Sequence, residues 1–260
     1  MKRRSFVRAS LAAVGALAAT PAFGDDAQQR TGELYELRVY QLKAAKQELL
    51  DDYLSKAFLP ALKRYGIGPV GVFVEKVGTD ALKVHVLIVH HSAEQFATLS
   101  ARLAADEEHR KAAEAYLAAR ANDPVYQRVE SSLIAAMEGM PKLEKPDASK
   151  PRLLNLRVYE SHNERAGKKK IEMFNKGEIA IFRRVGLTPV FFGETILGSS
   201  MPNLTYLLVF PHEAGVKEAW NRFRTDADWE KLKAIPEYAD KEIVSRITNK
   251  LLTPTAYSEI

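Results

Sequence analysis

Two short segments place an arginine and a tyrosine two residues apart: Glu36-Leu37-Arg38-Val39-Tyr40 and Asn155-Leu156-Arg157-Val158-Tyr159. Alternate residues share one face of a β-strand, so each segment projects a guanidinium, a phenol and a third polar group, Glu36 or Asn155, to one side. Between low-dielectric walls, two such arginines suit a carboxylate, a phosphate or an enolate, and two phenols suit orienting or polarising a bound carbonyl. The plainer alternative is that Arg38 pairs with Glu36 and satisfies a partly buried sheet. His85 joins the candidates because Val84, Val86 and Ile88 occupy the other face of its strand, which turns the imidazole toward the side expected for Arg38. It is the best-placed acid-base group or haem ligand.

Other chemistries lack their residues. There is no cysteine, so thiolate catalysis, cysteine-metal sites and disulfides are excluded. His90, His91 and His212 stand at strand ends before helices, where capping or surface roles are common, and no HExxH pattern accompanies them, so no metal site is expected. Gly66-Ile67-Gly68-Pro69-Val70-Gly71 has dinucleotide-loop spacing but follows a helix and enters a strand, the reverse of what a phosphate site needs. Ser199-Ser200 falls in a turn without a positioned base, so a hydrolase is unsupported. Trp220, Trp229, Phe191 and Phe192 read as core between helices and sheet.

The elements that position these groups occur twice. Leu37-Arg38-Val39-Tyr40 returns as Leu156-Arg157-Val158-Tyr159, and Gly66-Ile67-Gly68-Pro69-Val70 returns as Gly186-Leu187-Thr188-Pro189-Val190, about 120 residues on. A duplicated fold unit is the direct reading. Each copy opens with an alternating strand, 34–41 and 153–160, followed by an amphipathic helix closed by Gly66 or Gly186 where a left-handed residue is wanted. Pro60 should kink or restart the first of these helices. A hairpin follows in each copy, then a pair of helical segments broken near Asp106 and Asp226, which can cap the second segment. A last strand, 127–137 and 242–252, completes β-α-β-β-α-β twice. The predicted fold is α+β: two ferredoxin-like repeats, 25–137 and 152–260, joined by a proline-containing linker, 138–151. Each four-stranded sheet has one face left to cover, so the halves should pack sheet to sheet as an intrachain pseudo-dimeric α/β barrel. Glu36, Arg38 and Tyr40 are then expected to meet Asn155, Arg157 and Tyr159 across its interior.

Lys2, Arg3, Arg4 and Arg8 precede an alanine-rich apolar run, which predicts a signal peptide over residues 1–24, cleaved near Gly24. Arg3-Arg4-Ser5-Phe6-Val7-Arg8 resembles the bacterial twin-arginine export signal, so a periplasmic or otherwise exported protein without a membrane anchor is expected. That segment carries four basic and no acidic side chains, so its removal lowers the formal charge from +5 to +1. Such a balance gives no electrostatic case for nucleic acid or anionic membranes. The cluster Arg165, Lys168, Lys169, Lys170 reads as the solvated start of a helix.

Taken together, Tyr35-Glu36-Leu37-Arg38-Val39-Tyr40, the Gly-x-x-Pro-Val turns, Asn203-Leu204-Thr205-Tyr206, Asp226 to Trp229 and the ending Leu252-Thr253-Pro254-Thr255-Ala256-Tyr257-Ser258-Glu259-Ile260 resemble a tandem NIPSNAP protein of the dimeric α/β-barrel superfamily. The first copy departs by carrying His109 where the second has Trp229. The resemblance implies the barrel fold but no settled activity or catalytic residues. The wider superfamily includes cofactor-free monooxygenases, haem enzymes and binding proteins. The expectation is an exported protein that binds a small anionic or aromatic ligand inside the barrel. One alternative is a monooxygenase-like or haem-dependent enzyme, with His85, Arg38, Tyr40, Arg157 and Tyr159 around the substrate. Another is a structural protein, with a filled interior and helices that serve a homo-oligomer.

Overall fold

The structure, a computed structural model, describes residues 32–260; the expected signal segment lies outside the described residues. In the first repeat, β1 (Leu34–Lys43) leads through α1 (Gln47–Tyr53) and α2 (Leu59–Arg64) to β2 (Val70–Lys76) and β3 (Ala81–His90). Three short helices, α3 (Ala93–Ala105), α4 (Glu107–Ala112) and α5 (Glu114–Leu117), precede β4 (Arg128–Ala136). The second repeat runs β5 (Leu153–Glu160), α6 (Glu164–Met173), α7 (Ile179–Val185), β6 (Thr188–Leu197), β7 (Asn203–Phe210), α8 (Glu213–Arg224), α9 (Ala227–Lys233), α10 (Asp240–Ile243) and β8 (Arg246–Pro254).

Local chemistry sets the boundaries. Gly66 and Gly186 end their helices at φ 66° and 84°, the left-handed region that glycine enters without a Cβ clash. Asp106 accepts from the His109 backbone N–H at 2.9 Å, and Asp226 accepts from those of Asp228 and Trp229, so both cap the helix that follows. Pro60 stands at the second residue of α2, directly after a π-helical turn that keeps the helix continuous with α1, so the proline adjusts the helix without ending it. Between α1 and α2 the chain makes a π-helical turn, Leu54–Phe58, and the second repeat repeats it at Phe174–Glu178. The last strand starts later than its periodicity suggests, because residues 240–243 form α10 first.

The eight strands close into one antiparallel barrel in the order β1-β3-β2-β8-β5-β7-β6-β4. The repeats join edge to edge, β2 to β8 and β4 to β6, so no strand edge is left open. Closure creates three cores. Tyr35, Phe73, Leu87, Leu156, Leu207, Leu252 and Ile260 fill the barrel. Tyr40, Leu50, Phe58, Val84 and Val86 lie between sheet and helices in the first repeat; Tyr159, Phe174, Phe182, Tyr206 and Trp229 do so in the second.

This layering corrects the expected facing of the candidate residues. Tyr35 and Leu37 line the interior, so Glu36, Arg38 and Tyr40 point outward beneath the first repeat's helices. Leu154 and Leu156 likewise point inward, and Asn155, Arg157 and Tyr159 lie beneath the second repeat's helices. The two triplets therefore do not meet across the interior. On β1 and β5, which carry the candidates, both faces are largely covered, so polarity alone does not tell barrel side from helix side. Phe192 and Trp229 occupy the helix–sheet layer as expected. Phe191 instead enters the barrel, where the β6–β7 register shifts between Pro189 and Phe191. Among the described residues no helix is long and apolar enough to cross a membrane.

Candidate functional site

In the first repeat the polar triplet satisfies itself. Arg38 Nε donates to Glu36 Oε1 at 2.5 Å, Ser131 Oγ donates to the same oxygen at 3.0 Å, and His90 Nε2 bonds Glu36 Oε2 at 3.2 Å. Burial would raise the Glu36 carboxyl, but the hydrogen bonds from His90, Arg38 and Ser131 outweigh it and hold it at about 2. Arg38 also lies 5.2 Å from the centre of the Phe58 ring. The plainer alternative for Arg38, pairing with Glu36, is the one that forms.

In the second repeat Asn155 replaces Glu36, and Arg157 has no carboxylate partner among the described residues. Its Nη2 donates to the Tyr159 hydroxyl at 3.1 Å, while its Nε is buried without a partner. The guanidinium lies 4.3 Å from the centre of the Trp220 ring and 5.4 Å from that of Tyr159. Tyr206 donates to the Tyr159 hydroxyl at 3.1 Å. Both acceptor positions of Tyr159 are then occupied, and its own O–H remains as a donor. Asn155 is committed elsewhere: its amide donates to Asn249 Oδ1 at 2.6 Å and to the Lys250 carbonyl at 3.1 Å, and its oxygen accepts from Trp220 Nε1 at 3.4 Å.

Behind Tyr159 sits a buried ion pair. Lys170 Nζ is 3.1 Å from Glu178 Oε2, and the two residues are 2% and 1% exposed. Lys170 lies 5.4, 5.2 and 5.8 Å from the ring centres of Tyr159, Phe174 and Trp229. Burial raises the Glu178 carboxyl, against the pull of Lys170. Burial opposes the charge on Lys170, but the Glu178 carboxylate prevails and raises it. The reading of the 165–170 cluster as wholly solvated is therefore corrected at Lys170. The helix turns this residue onto the same face as Met173 and Phe174, three and four positions on, both fully buried.

His85 lies apart. It pairs in register with Val39 and Phe73 and faces the barrel interior, on the opposite side of the sheet from Arg38. Its Nε2 bonds Glu75 Oε2 at 2.7 Å, and Lys250 reaches the same oxygen at 3.2 Å. Burial lowers its pKa, against the hydrogen bond to Glu75. The constellation of His85 with Arg38, Tyr40, Arg157 and Tyr159 expected for a monooxygenase-like or haem enzyme does not form, because the closed sheet separates its members into three places. His90, expected to have a strand-end role, is buried against Glu36, while His212 caps α8 by accepting from the Gly215 N–H.

The NIPSNAP family profile matches residues 35–138 and again 154–259. The chain belongs to the NIPSNAP family. No curated protein matches it in sequence. Among solved structures, a protein from Fusobacterium nucleatum named "putative monooxygenase" is similar at TM-score 0.56 and 8% identity, over 86% of this chain and 93% of that one. A protein of the same name from Lactobacillus acidophilus gives 0.53 and 9%, over 86% and 94%. An anthrone oxidase-like protein gives 0.52 and 12%, over 86% and 92%. At these identities the likeness is one of fold.

Within this tandem NIPSNAP chain the repeats differ where their chemistry would lie. Lys170, Glu178 and Tyr206 of the second repeat stand at the positions of Leu50, Phe58 and Val86 in the first. Reading the candidates one segment at a time misses all three as site residues. The signal that reveals them is subtraction of one repeat from the other.

Proposed function

We propose that this NIPSNAP protein is a receptor for a small oxyanion, a carboxylate or phenolate, bound by Arg157 and Tyr159 between sheet and helices of the second repeat. One observation carries the reading: among the described residues no carboxylate is bonded to Arg157, since the nearby Glu178 acts on it only through space and is paired with Lys170, whereas Arg38, its counterpart, is bonded to Glu36. A guanidinium with a buried, unpartnered Nε beside a phenol with a spare proton leaves two donors unspent on one stretch of strand. In the barrel interior the polar groups His85, Glu75 and Lys250 are already bonded to one another, which favours Arg157 over the interior as the place of binding. The twin-arginine-like opening of the sequence supports action in the periplasm after export; an amino terminus at Met1 on protein recovered from the periplasm would refute the cleavage.

The test is calorimetric titration of the full mature chain with benzoate. Arg157→Met is expected to weaken binding about tenfold to hundredfold, the range of a lost charge-assisted hydrogen bond, while Arg38→Met leaves it unchanged. Equal affinity in the wild type and Arg157→Met would overturn the proposal.

A further inference from the structure

The outward face of β8 runs directly beside Arg157. In the β5–β8 register Asn155 faces Leu251, Arg157 faces Asn249 and Tyr159 faces Ile247. Ile247 and Leu251 are 45% and 37% exposed, and Asn249 between them is exposed. Single exposed aliphatic residues are ordinary. Here, however, two of them flank Arg157, which has no bonded carboxylate among the described residues, with the half-buried Trp220 ring over the guanidinium. The two aliphatic side chains stand four positions apart along the strand, a span of about 13 Å. The order along this trough is apolar, polar and cationic, apolar.

β4 provides an internal control. Its outward residues Val129, Ser131 and Leu133 stand opposite Tyr40, Arg38 and Glu36 in the same arrangement. There Ser131 and Arg38 are both bonded to Glu36, and the centre of the strip carries no free cation. The apolar flanks are common to both repeats; the available charge belongs to the second alone.

We infer that the ligand at Arg157 is a planar fused-ring aromatic monoanion whose ionised oxygen lies at mid-length, so that its rings extend over both Ile247 and Leu251. This rests on the receptor reading above. A single guanidinium matches one negative charge, and apolar neighbours on both sides disfavour a polyanion such as a phosphate ester, whose remaining charge would be desolvated unpaired. An anion carried at one end of a ring system would use only one flank. A compact aliphatic carboxylate would use neither.

The experiment titrates the full mature chain with three probes, followed by fluorescence for the polycyclic pair and calorimetry for the third. These are anthracene carrying a carboxylate on its central ring, the isomer carrying it on an outer ring, and benzoate. The central isomer is expected to bind about tenfold more tightly than the outer one, in line with burial of one additional flank. Ile247→Ser and Leu251→Ser, which remove the apolar flank without adding charge, should each weaken the central isomer about tenfold and leave benzoate largely unaffected. Both side chains are exposed, so the variants retain the fold, which thermal unfolding verifies. Equal affinity for the two isomers, or indifference of the central isomer to both serines, overturns the inference while Arg157-dependent benzoate binding preserves the receptor reading. If none of the probes binds in an Arg157-dependent way, the receptor reading fails and the inference falls with it.

Discussion

Lys170 and Glu178 form an ion pair at 3.1 Å inside the second repeat, at the positions that Leu50 and Phe58 fill in the first. The same layer thus exists twice in one molecule, once apolar and once charged. The first copy shows that the architecture does not need the pair. Buried pairs are weak contributors to stability beside well-packed apolar residues, so this one points to a role in the site behind Tyr159. Removal of Lys170 by Lys170→Leu should destabilise the fold by about 3 to 5 kcal/mol by leaving Glu178 unpaired, and Glu178→Gln should cost less, because Lys170 keeps Asp240 at 3.6 Å. The double variant Lys170→Leu/Glu178→Phe should range from neutral to about 4 kcal/mol more stable. Chemical denaturation of the three variants checks this; a double variant less stable than either single one would contradict it.

Glu36 makes the first repeat sensitive to acid. Its folded pKa, about 2, lies below the ordinary value of 4.5. Its contribution is therefore fully present above about pH 4.5 and is lost as pH falls toward 2, because the unfolded chain takes up the proton first. The shift corresponds to about 3 kcal/mol at neutral pH. Unfolding free energies measured from pH 6 down to about 2 should fall through this window, and Glu36→Gln should flatten the fall. An unchanged slope in that variant would contradict the assignment.

Asn155→Glu converts the second repeat toward the first. A carboxylate two residues before Arg157 reproduces the spacing of Glu36 and Arg38 and gives the guanidinium an internal partner. Oxyanion binding should weaken about tenfold or more, with the fold retained. Benzoate titration together with circular dichroism checks it, and undiminished affinity would show that Arg157 does not hold the anion.

Gly193 marks the seam between repeats. A Cβ there would lie 2.3 Å from Ile134 Cγ2 and 2.8 Å from the Ala135 carbonyl oxygen, on the strand that β6 pairs with. Gly193→Ala must move β4 backbone and should cost about 1 to 3 kcal/mol. Thermal unfolding measures this; a variant as stable as the wild type would show that the seam yields more freely than its packing implies.

The duplication, the order of elements, the helix-ending glycines and the capping aspartates were legible in the sequence because each rests on local physics: strand and helix periodicity, a left-handed turn, an oxygen placed to receive a free N–H. That Glu36, Arg38 and Tyr40 share one face was legible for the same reason. Which face it is was not. On β1 and β5 both sides of the sheet are covered, one by the barrel interior and one by helices, so alternation separates two sides without naming them, and closure alone sent the arginines outward and His85 inward. Lys170 shows the same limit. Its sequence neighbours Lys168 and Lys169 suggested solvent, yet its partner Glu178 lies eight residues away across a π-helical turn, a contact that only folding brings together. Sequence alone determined the architecture and the inventory of polar groups. Tertiary structure decided which of them are neutralised, because bonded partners such as Glu36 for Arg38, and the lack of a bonded carboxylate at Arg157 among the described residues, depend on what packs above each strand.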